Sequence, residues 1–446
     1  MFKSLDRDVS GARFSADGSS IYFLITDDMQ RHLVRATLAD EKIEKLAVAP
    51  RVLSSFSLAP NGRIATSVTS AKEPFEIYAF ESNNYRKLTA HNDSLVNALN
   101  LADIEGISYK TKDGAEVHAT LFKPVGYENG KWYPTLFRIH GGPNSQNGFE
   151  FDFERQLFAA NGYAVVFPNY RGSNGRGQAW KSAIYADWGT KETIDVLAGA
   201  DHVVKTGIAD PQRLGIGGWN YGCITTDYTI ATDTRLKAAT CGAGSALQLS
   251  MYGSDQYIVQ YEQEIGLPWK NPDAWMTISW PFFKADRIKT PTLYLGGQND
   301  FNVPIIGGEQ MYQALKSLGV PTQLTIYPNE RHCIRRPTFQ KDRYQRYLDW
   351  YAKYLGVAKA TTNYRLFTLT VTSTFKGTSS STPDGSNVAG PQMGYSARTM
   401  RYRTMLGTSY SSFTTVHTAS TSTAWTMVAR GKVTTPICFP SLSRTI

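Results

Sequence analysis

The feature that most constrains this chain is a glycine-flanked pentapeptide, Gly218-Trp-Asn-Tyr-Gly222, between a strand-like stretch and a helix-like stretch. Glycines on either side of one central residue allow the tight strand-to-helix turn that raises this residue above a sheet. The pattern is that of a nucleophile elbow, with Asn220 at the position of the nucleophile. Because such glycine spacings are common in α/β loops, the prediction depends on strand, turn and helix following in order.

Strand-like and helix-like stretches alternate between residues 101 and 356. Strands are predicted at 133–139, 163–168, 213–216, 292–295 and 323–327, helices at 193–206, 224–232, 307–318 and 342–355, and a hairpin at 107–124. Alternation at this spacing is typical of parallel strands covered by helices on both faces. We therefore expect an α/β fold with a mostly parallel sheet in this region.

The other parts of a hydrolase-type site follow in chain order. Asp300 comes after one predicted strand and His332 after the next. The order nucleophile, acid, histidine is that of α/β-hydrolases, in which the histidine deprotonates the nucleophile and the carboxylate orients the imidazole. The loop that begins at His140 is expected to supply one backbone N–H of an oxyanion hole, and Tyr221 the other. Taken singly, a loop aspartate or a lone histidine is more often structural, so the prediction depends on the set.

These residues resemble the catalytic end of the prolyl oligopeptidase family of serine peptidases, particularly its acylaminoacyl peptidase and dipeptidyl peptidase branches. The matching segments are His140-Gly-Gly-Pro143, Asn169-Tyr-Arg-Gly-Ser173, Gly218-Trp-Asn-Tyr-Gly222, Asp300-Phe-Asn-Val-Pro304 and His332, which cover residues 101–356 densely.

The resemblance implies an α/β-hydrolase domain that hydrolyses short peptides with no metal or organic cofactor. Its expected site residues are Asp300 as the orienting acid, His332 as the base, and Gly142 with Tyr221 as oxyanion donors. Arg171, in the second matching segment, is expected to help bind the substrate.

Three residues depart from the family pattern: Asn220 replaces the serine nucleophile, and Cys223 and Cys333 replace glycines. A carboxamide has no ionisable proton and little nucleophilicity, so the route through an acyl-enzyme is closed as written. The remaining oxyanion hole and binding contacts would leave a rate of about 10³ to 10⁴ over water. We therefore expect this chain to be inactive or nearly so.

Several alternatives stay open at this point. Cys223 could attack instead, but it lies three residues further on, where a buried inert thiol is expected. Asn220 could deamidate to aspartate, which attacks saturated carbon better than amides, next to the bulky Tyr221. The asparagine could also be an engineered, sequencing or pseudogene change. Three functions stay open for the site: a disabled peptidase, a peptide-binding pseudoenzyme, or an esterase of the same fold that meets the same obstacle at Asn220.

Residues 1–100 have the texture of short strands separated by turns. The turn signals Asp17-Gly18 and Asn61-Gly62 lie 44 residues apart, each between strand-like runs. A period of about 40 to 45 residues is the size of one β-propeller blade, whereas two copies would also fit ordinary β-meanders. The family resemblance implies the final blades of a propeller that restricts entry to small peptides.

The net charge of +9 belongs mainly to the end of the chain. Residues 361–446 hold 8 of the 47 basic residues and one of the 38 acidic residues, which leaves the first 360 residues nearly neutral. A nearly neutral body does not favour nucleic-acid binding. Because 33 of these 86 residues are Ser or Thr, the segment 357–446 is predicted to be a disordered tail, with a possible strand at 364–375. Translation past a frameshift is a second hypothesis for its origin.

The compartment is predicted from what the sequence lacks. No run of 18 apolar residues predicts a membrane span, and the charged first residues do not resemble a signal peptide. The four cysteines are widely spaced, without the pattern of a disulfide framework or a zinc site. We therefore expect a reducing, cytoplasmic setting. The oligomeric state is left open.

Overall fold

The computed structural model describes residues 5–46, 50–81 and 83–357, together with the backbone of two short strands near the end of the chain. The chain divides into two compact units. The larger unit contains two eight-stranded sheets, and the smaller contains a two-stranded hairpin.

The first sheet is formed by the strand-rich region predicted before residue 100. Its strands are β1 (Asp8–Phe14), β2 (Ser20–Asp27), β3 (Gln30–Thr37), β4 (Ile43–Leu46), β5 (Val52–Leu58), β6 (Ile64–Ser70), β7 (Glu73–Glu81) and β8 (Asn84–Lys87), and a short helix, α1 (Asp93–Val96), follows. Strands β1–β4 and β5–β8 are two antiparallel groups, joined by a parallel contact between β3 and β5. Groups of four antiparallel strands fit the expected blades, but their origin in a propeller stays a prediction.

The second sheet is the α/β layer. Its strands are β9 (Ile104–Lys110), β10 (Glu116–Phe122), β11 (Tyr133–Ile139), β12 (Ala164–Asn169), β13 (Ala209–Trp219), β14 (Leu236–Gly242), β15 (Thr292–Gly297) and β16 (Thr322–Tyr327). The accompanying helices are α2 (Phe153–Ala160), α3 (Gln178–Lys181), α4 (Lys191–Lys205), α5 (Tyr221–Thr232), α6 (Ile258–Glu264), α7 (Pro272–Thr277), α8 (Trp280–Phe283), α9 (Ile306–Ser317) and α10 (Pro337–Leu355), with 3-10 turns at Gln248–Met251 and Ala285–Arg287.

The strand order of this sheet is β9-β10-β12-β11-β13-β14-β15-β16. The first three strands pair antiparallel, and all pairs from β12 to β16 are parallel. This arrangement confirms the predicted α/β-hydrolase fold. Because parallel strands end at the same edge, the loops after β11, β13, β15 and β16 meet there, close to the exchange of β11 and β12 in the order.

Two hydrophobic clusters cover the faces of this sheet, one including Trp275 and Tyr228 and the other Tyr347 and Tyr351. Helix α5 lies in the middle and is buried on nearly every side although it is rich in threonine. Three of its four threonine hydroxyls donate to carbonyls one turn back, as Thr226 does to Gly222 at 2.7 Å, whereas the buried hydroxyl of Thr225 has no hydrogen-bond partner among the described residues. This back-bonding satisfies polar groups that burial would otherwise leave unpaired.

Polar contacts connect the first sheet to the hydrolase layer. The side chain of Asp28, in the β2–β3 turn, accepts from His118 Nδ1 at 2.8 Å, and the backbone N–H of Asp28 donates to Gly175 O at 3.0 Å. Lys181 and Asp8 form an ion pair at 2.6 Å. The strand-rich region is therefore packed on the loops of the layer that carries the site.

Near the end of the chain, β17 (Ala397–Arg401) pairs antiparallel with β18 (Ser412–Val416). The strand predicted at 364–375 lies outside the described residues, and disorder of the tail stays a prediction. The predicted boundary at residue 100 falls between β8 and β9, and the boundary at 356 follows α10. Among the described helices, none combines the length and apolarity that a bilayer crossing needs.

The expectation of a free, buried thiol at Cys223 is wrong. Cys223, in the first turn of α5, forms a disulfide with Cys241 in the neighbouring strand β14. The parallel pairing of β13 with β14 brings Cys241 next to Gly218, at the elbow, and so places the two sulfurs together. Sequence spacing could not show this contact, and a reducing, cytoplasmic setting can no longer be argued from missing disulfides.

Candidate active site

Asn220 stands on a sharp turn between β13 and α5. Its backbone angles, φ 62° and ψ −127°, lie in a region that residues with side chains rarely adopt. A Cβ on Gly218 would collide with the carbonyl of Gly222, and a Cβ on Gly222 with the carbonyl of Ile139. The two glycines are therefore required by close backbone approach, and they present the Asn220 side chain at the edge of the sheet as predicted.

The structure brings Asp300 and His332 together. Nδ1 of His332 lies 2.8 Å from Oδ2 of Asp300. The Asp300 side chain is fully buried, and its Oδ1 accepts the backbone N–H groups of Asn302 at 2.8 Å and Val303 at 2.9 Å. These bonds hold the carboxylate in one orientation, so that it can in turn orient the imidazole.

The Asn220 carboxamide fills the space between the base and the oxyanion loop. Its Nδ2 lies 3.0 Å from His332 Nε2, and its Oδ1 accepts the backbone N–H of Gly142 at 3.0 Å. Because the Gly142 N–H can only donate, it must face the amide oxygen, and the amide NH₂ then faces the imidazole. Nε2 of His332 is therefore the acceptor, and Nδ1 carries the proton that is donated to Asp300.

Gly142 supplies the first predicted oxyanion donor. Its φ of 128° favours glycine, and a Cβ there would lie 2.7 Å from the backbone nitrogen of Asn144. Tyr221 is the first residue of α5, so its backbone N–H has no acceptor within the helix and is available at the elbow. Both predicted donors thus belong to backbone positioned beside Asn220.

The Tyr221 side chain points away into the core. Its hydroxyl donates to Oε1 of Glu192 at 2.5 Å, and Glu192 is fully buried on α4. Burial raises the pKa of Glu192 to about 7. This pair anchors the elbow to α4, a role that the sequence analysis missed because nothing in the sequence paired these two residues.

His140 holds the oxyanion loop. Its ring stacks on Tyr170 at 4.5 Å between centroids. Nδ1 contacts Gly141 O at 2.8 Å, and Nε2 contacts the buried hydroxyl of Ser173 at 2.8 Å. Burial lowers the pKa of His140 to about 4, so the ring is neutral at pH 7, with Nδ1–H donating to the carbonyl and Nε2 accepting from Ser173.

Trp219 also contributes to the site, beyond its place in the predicted motif. Its indole Nε1 donates to the carbonyl oxygen of His332 at 2.9 Å. This bond connects the elbow to the histidine loop, because Trp219 directly precedes Asn220 and the acceptor is the backbone of His332 itself. The motif itself indicated such a contact, because the indole N–H of a partly buried tryptophan needs a hydrogen-bond acceptor.

The prediction that Arg171 binds substrate is not supported by its contacts. Its guanidinium is largely buried and donates to Asp195 at 2.7 Å and to Asp113 at 2.7 Å, and its backbone N–H also donates to Asp195. All three guanidinium nitrogens have acceptors within the protein. Arg171 therefore holds the loop after β12 onto α4 and forms an ion pair with the buried carboxylate of Asp195.

One group of side chains among the described residues has the spacing of metal ligands. Atoms of Cys223, Asp227 and Cys241 lie within 4.8 Å of one another, all buried behind the elbow. The two sulfurs are bonded to each other, so they are not available as thiolate ligands. The donor set therefore does not fit a metal in this state.

Comparisons with known proteins agree with this geometry. Residues 149–358 match the sequence model of the "Prolyl oligopeptidase family". The chain is 31% identical over 339 residues to "Uncharacterized peptidase YuxL" of Bacillus subtilis, covering 75% of this chain and 51% of that protein. It is 26% identical over 329 residues to "Dipeptidyl-peptidase 5" of Porphyromonas endodontalis, covering 71% and 47%.

The fold is similar to that of Pyrococcus horikoshii acylaminoacyl peptidase, with a TM-score of 0.73 and 24% identity, covering 81% of this chain and 58% of that one. The chain thus spans about half the length of the curated relatives that it matches.

Proposed function

Because residues 149–358 of this chain belong to the prolyl oligopeptidase family of serine peptidases, we propose that its site is built to hydrolyse peptide bonds in short peptides. The observation that carries the proposal is the unbroken chain of contacts from Asp300 through His332 to position 220 and on to Gly142. The acylaminoacyl and dipeptidyl classes of the relatives support peptides with a short amino-terminal part as substrates. The strand-rich region before residue 100 would be the last two blades of a propeller.

With serine at position 220, each group has a defined role. His332 Nε2 would take the hydroxyl proton as the oxygen attacks the peptide carbonyl, and would later give it to the departing amine. The N–H groups of Gly142 and Tyr221 would stabilise the oxyanion of the tetrahedral intermediate. Asp300 would stabilise the imidazolium. No step in this scheme needs a metal or an organic cofactor.

As written, the chain lacks the nucleophile for that scheme. The Asn220 amide nitrogen donates to His332 and has no lone pair suited to attack, so no acyl-enzyme forms. We therefore propose a catalytically disabled member of the family. A peptide-binding role without cleavage is the second candidate, favoured by the intact Asp300–His332 pair and by the Gly142 N–H, from which a peptide carbonyl would displace the Asn220 oxygen. A cytoplasmic location stays a prediction.

The test is to compare the chain with its Asn220→Ser variant on an aminoacyl p-nitroanilide and a p-nitrophenyl ester. Asn220→Ser combined with His332→Ala is the matched control. We expect turnover in the serine variant alone, lowered by about 10³-fold or more when the histidine is removed. Equal turnover by all three proteins would contradict the assignment of the triad. If the serine variant hydrolyses the p-nitrophenyl ester but not the aminoacyl p-nitroanilide, the esterase is favoured over the peptidase.

Binding without cleavage is tested separately, by titrating the unaltered chain with a short peptide in a calorimeter. Saturable binding with no product supports the peptide-binding candidate. If no peptide binds and the serine variant does not turn over, the proposed function is wrong for this chain.

A further inference from the structure

We propose that the site hydrolyses the side-chain amide of its own Asn220, converting it to aspartate with release of ammonia. The proposal rests on the roles of His332 and Gly142 in the proposed function, but it needs no external peptide. Asn220 is then a modification site of this chain, in addition to replacing the serine of the family pattern.

The carboxamide lies in the position of a scissile amide. Its oxygen accepts the Gly142 N–H, the kind of donor that stabilises the oxyanion when an amide carbon becomes tetrahedral. Its nitrogen contacts His332 Nε2, the atom that donates a proton to the leaving nitrogen in amide hydrolysis. Both ends of the amide are therefore held by the groups that would act on a peptide bond.

Water can reach this amide. Gly142 is exposed, and Asn220 and His332 are each only partly buried. A buried asparagine would be protected by its surroundings, whereas this one is held at the open edge of the sheet by the elbow.

The chemical step balances with water as the only co-reactant. The water oxygen forms a bond to Cγ of Asn220 while His332 Nε2 takes one of its protons. The Cγ–Nδ2 bond then breaks as the imidazolium returns that proton to Nδ2. One carboxylic acid and one ammonia result, and at neutral pH they separate as carboxylate and ammonium. Asp300 keeps its hydrogen bond with His332 Nδ1 and stabilises the imidazolium.

A competing route is attack on Cγ by the next backbone nitrogen, which gives a cyclic imide and then a mixture of aspartate and isoaspartate. That route is fastest where glycine follows asparagine in an exposed turn, as at Asn61 and Gly62. Asn61 is therefore an internal reference in the same chain for deamidation that does not depend on the site.

The experiment is to incubate the full chain at neutral pH and to follow Asn220 and Asn61 by peptide mapping with mass spectrometry, together with released ammonia. His332→Gln and Asp300→Asn are the test variants. We expect Asn220 to become α-linked aspartate, about a hundredfold more slowly in His332→Gln. Conversion of Asn61 should give a mixture of aspartate and isoaspartate, at the same rate in all three proteins.

Two variants are used because either could perturb folding, which a changed rate at Asn61 or altered circular dichroism would reveal. The proposal is overturned if Asn220 stays intact while Asn61 converts, if conversion is unaffected in both variants, or if isoaspartate forms at position 220. These readouts do not involve peptide turnover, so a failure of the proposed peptidase function in the serine variant would be seen independently.

Discussion

The backbone N–H of Gly142 donates to Oδ1 of Asn220 at 3.0 Å, so the side chain at the nucleophile position engages one of the two predicted oxyanion donors of its own site. A substrate carbonyl or a product carboxylate must displace this oxygen before it can bind there. The asparagine therefore stands where the proposed function needs a serine, and its side-chain oxygen also competes with a ligand for the Gly142 N–H.

Replacing Asn220 with glycine is predicted to open the hole. Glycine accepts the positive φ of the elbow, so the turn is preserved. A hydrogen bond to a charged group contributes about 1.5 to 3 kcal/mol, so a short peptide carboxylate should bind about tenfold more tightly to Asn220→Gly than to the unaltered chain. Calorimetric titration measures the two affinities. The corresponding peptide carboxamide is the control, and its affinity should increase less than that of the carboxylate. Equal affinities of both proteins for the carboxylate would contradict the prediction.

The Cys223–Cys241 disulfide is predicted to stabilise the region behind the elbow. The two residues are 18 apart in sequence, and closing a loop of that size contributes about 3 kcal/mol in the chain-entropy account. The double variant Cys223→Ala with Cys241→Ala should lose about that much free energy of unfolding in urea titrations. Finding both proteins equally stable would show that the bond does not constrain the unfolded chain.

Asp227 is predicted to make stability depend on pH. It is buried in α5 and accepts the Tyr294 hydroxyl at 3.0 Å, and burial raises its pKa from 3.8 to about 7. The protonated carboxyl is thus favoured in the folded state. Its stabilising effect is complete below about pH 4 and is lost as the pH rises through about 7, by at most about 1.4 kcal/mol per pH unit.

The variant Asp227→Asn keeps the shape and removes the titration. Relative to the unaltered chain, it should become progressively more stable as the pH rises from about 4 to about 7, and the difference should level off above that pH. Glu192, whose pKa is also raised to about 7, is present in both proteins and cancels in the difference. Urea titrations across this range provide the measurement. A difference that does not change with pH would show that Asp227 is ionised in the folded protein.

Arg171 is predicted to act on stability rather than on substrate affinity. Its partner Asp195 is fully buried, and removing one member of a buried ion pair costs about 3 to 5 kcal/mol. Arg171→Leu should therefore unfold at much lower urea concentration. Arg346→Leu is the matched control, because Arg346 and Asp342 form an exposed pair along α10 that contributes at most about 1 kcal/mol. Unchanged stability with a raised KM, in an active Asn220→Ser background, would restore the substrate-binding role.

The candidate site was largely readable from the sequence because its chemistry lies in short segments at strand ends. The elbow, Asp300 and His332 each follow a predicted strand. The carboxyl ends of parallel strands lie at the same edge of a sheet, so these three segments were expected to meet there. Strand β14 was missed because its small residues, such as Ala238 and Ala239, lack the branched apolar run that predicts a strand. Helix α5 is buried on nearly every side, so its threonines lie inside the protein. An amphipathic pattern would instead have placed these threonines on a solvent-facing side of the helix.

The sequence by itself determined the α/β-hydrolase layer, the elbow and the presence of asparagine at the central position of the elbow, because these depend on local periodicity, glycine geometry and residue identity. Only the tertiary structure decided that Arg171 is held by Asp195 and Asp113, that Cys223 is bonded to Cys241, and that the Asn220 oxygen accepts the Gly142 N–H. Each of these depends on distances between segments far apart in the chain. Such distances are determined by which strands pair and how the helices pack on the sheet, and they cannot be read from the spacing of residues along the sequence.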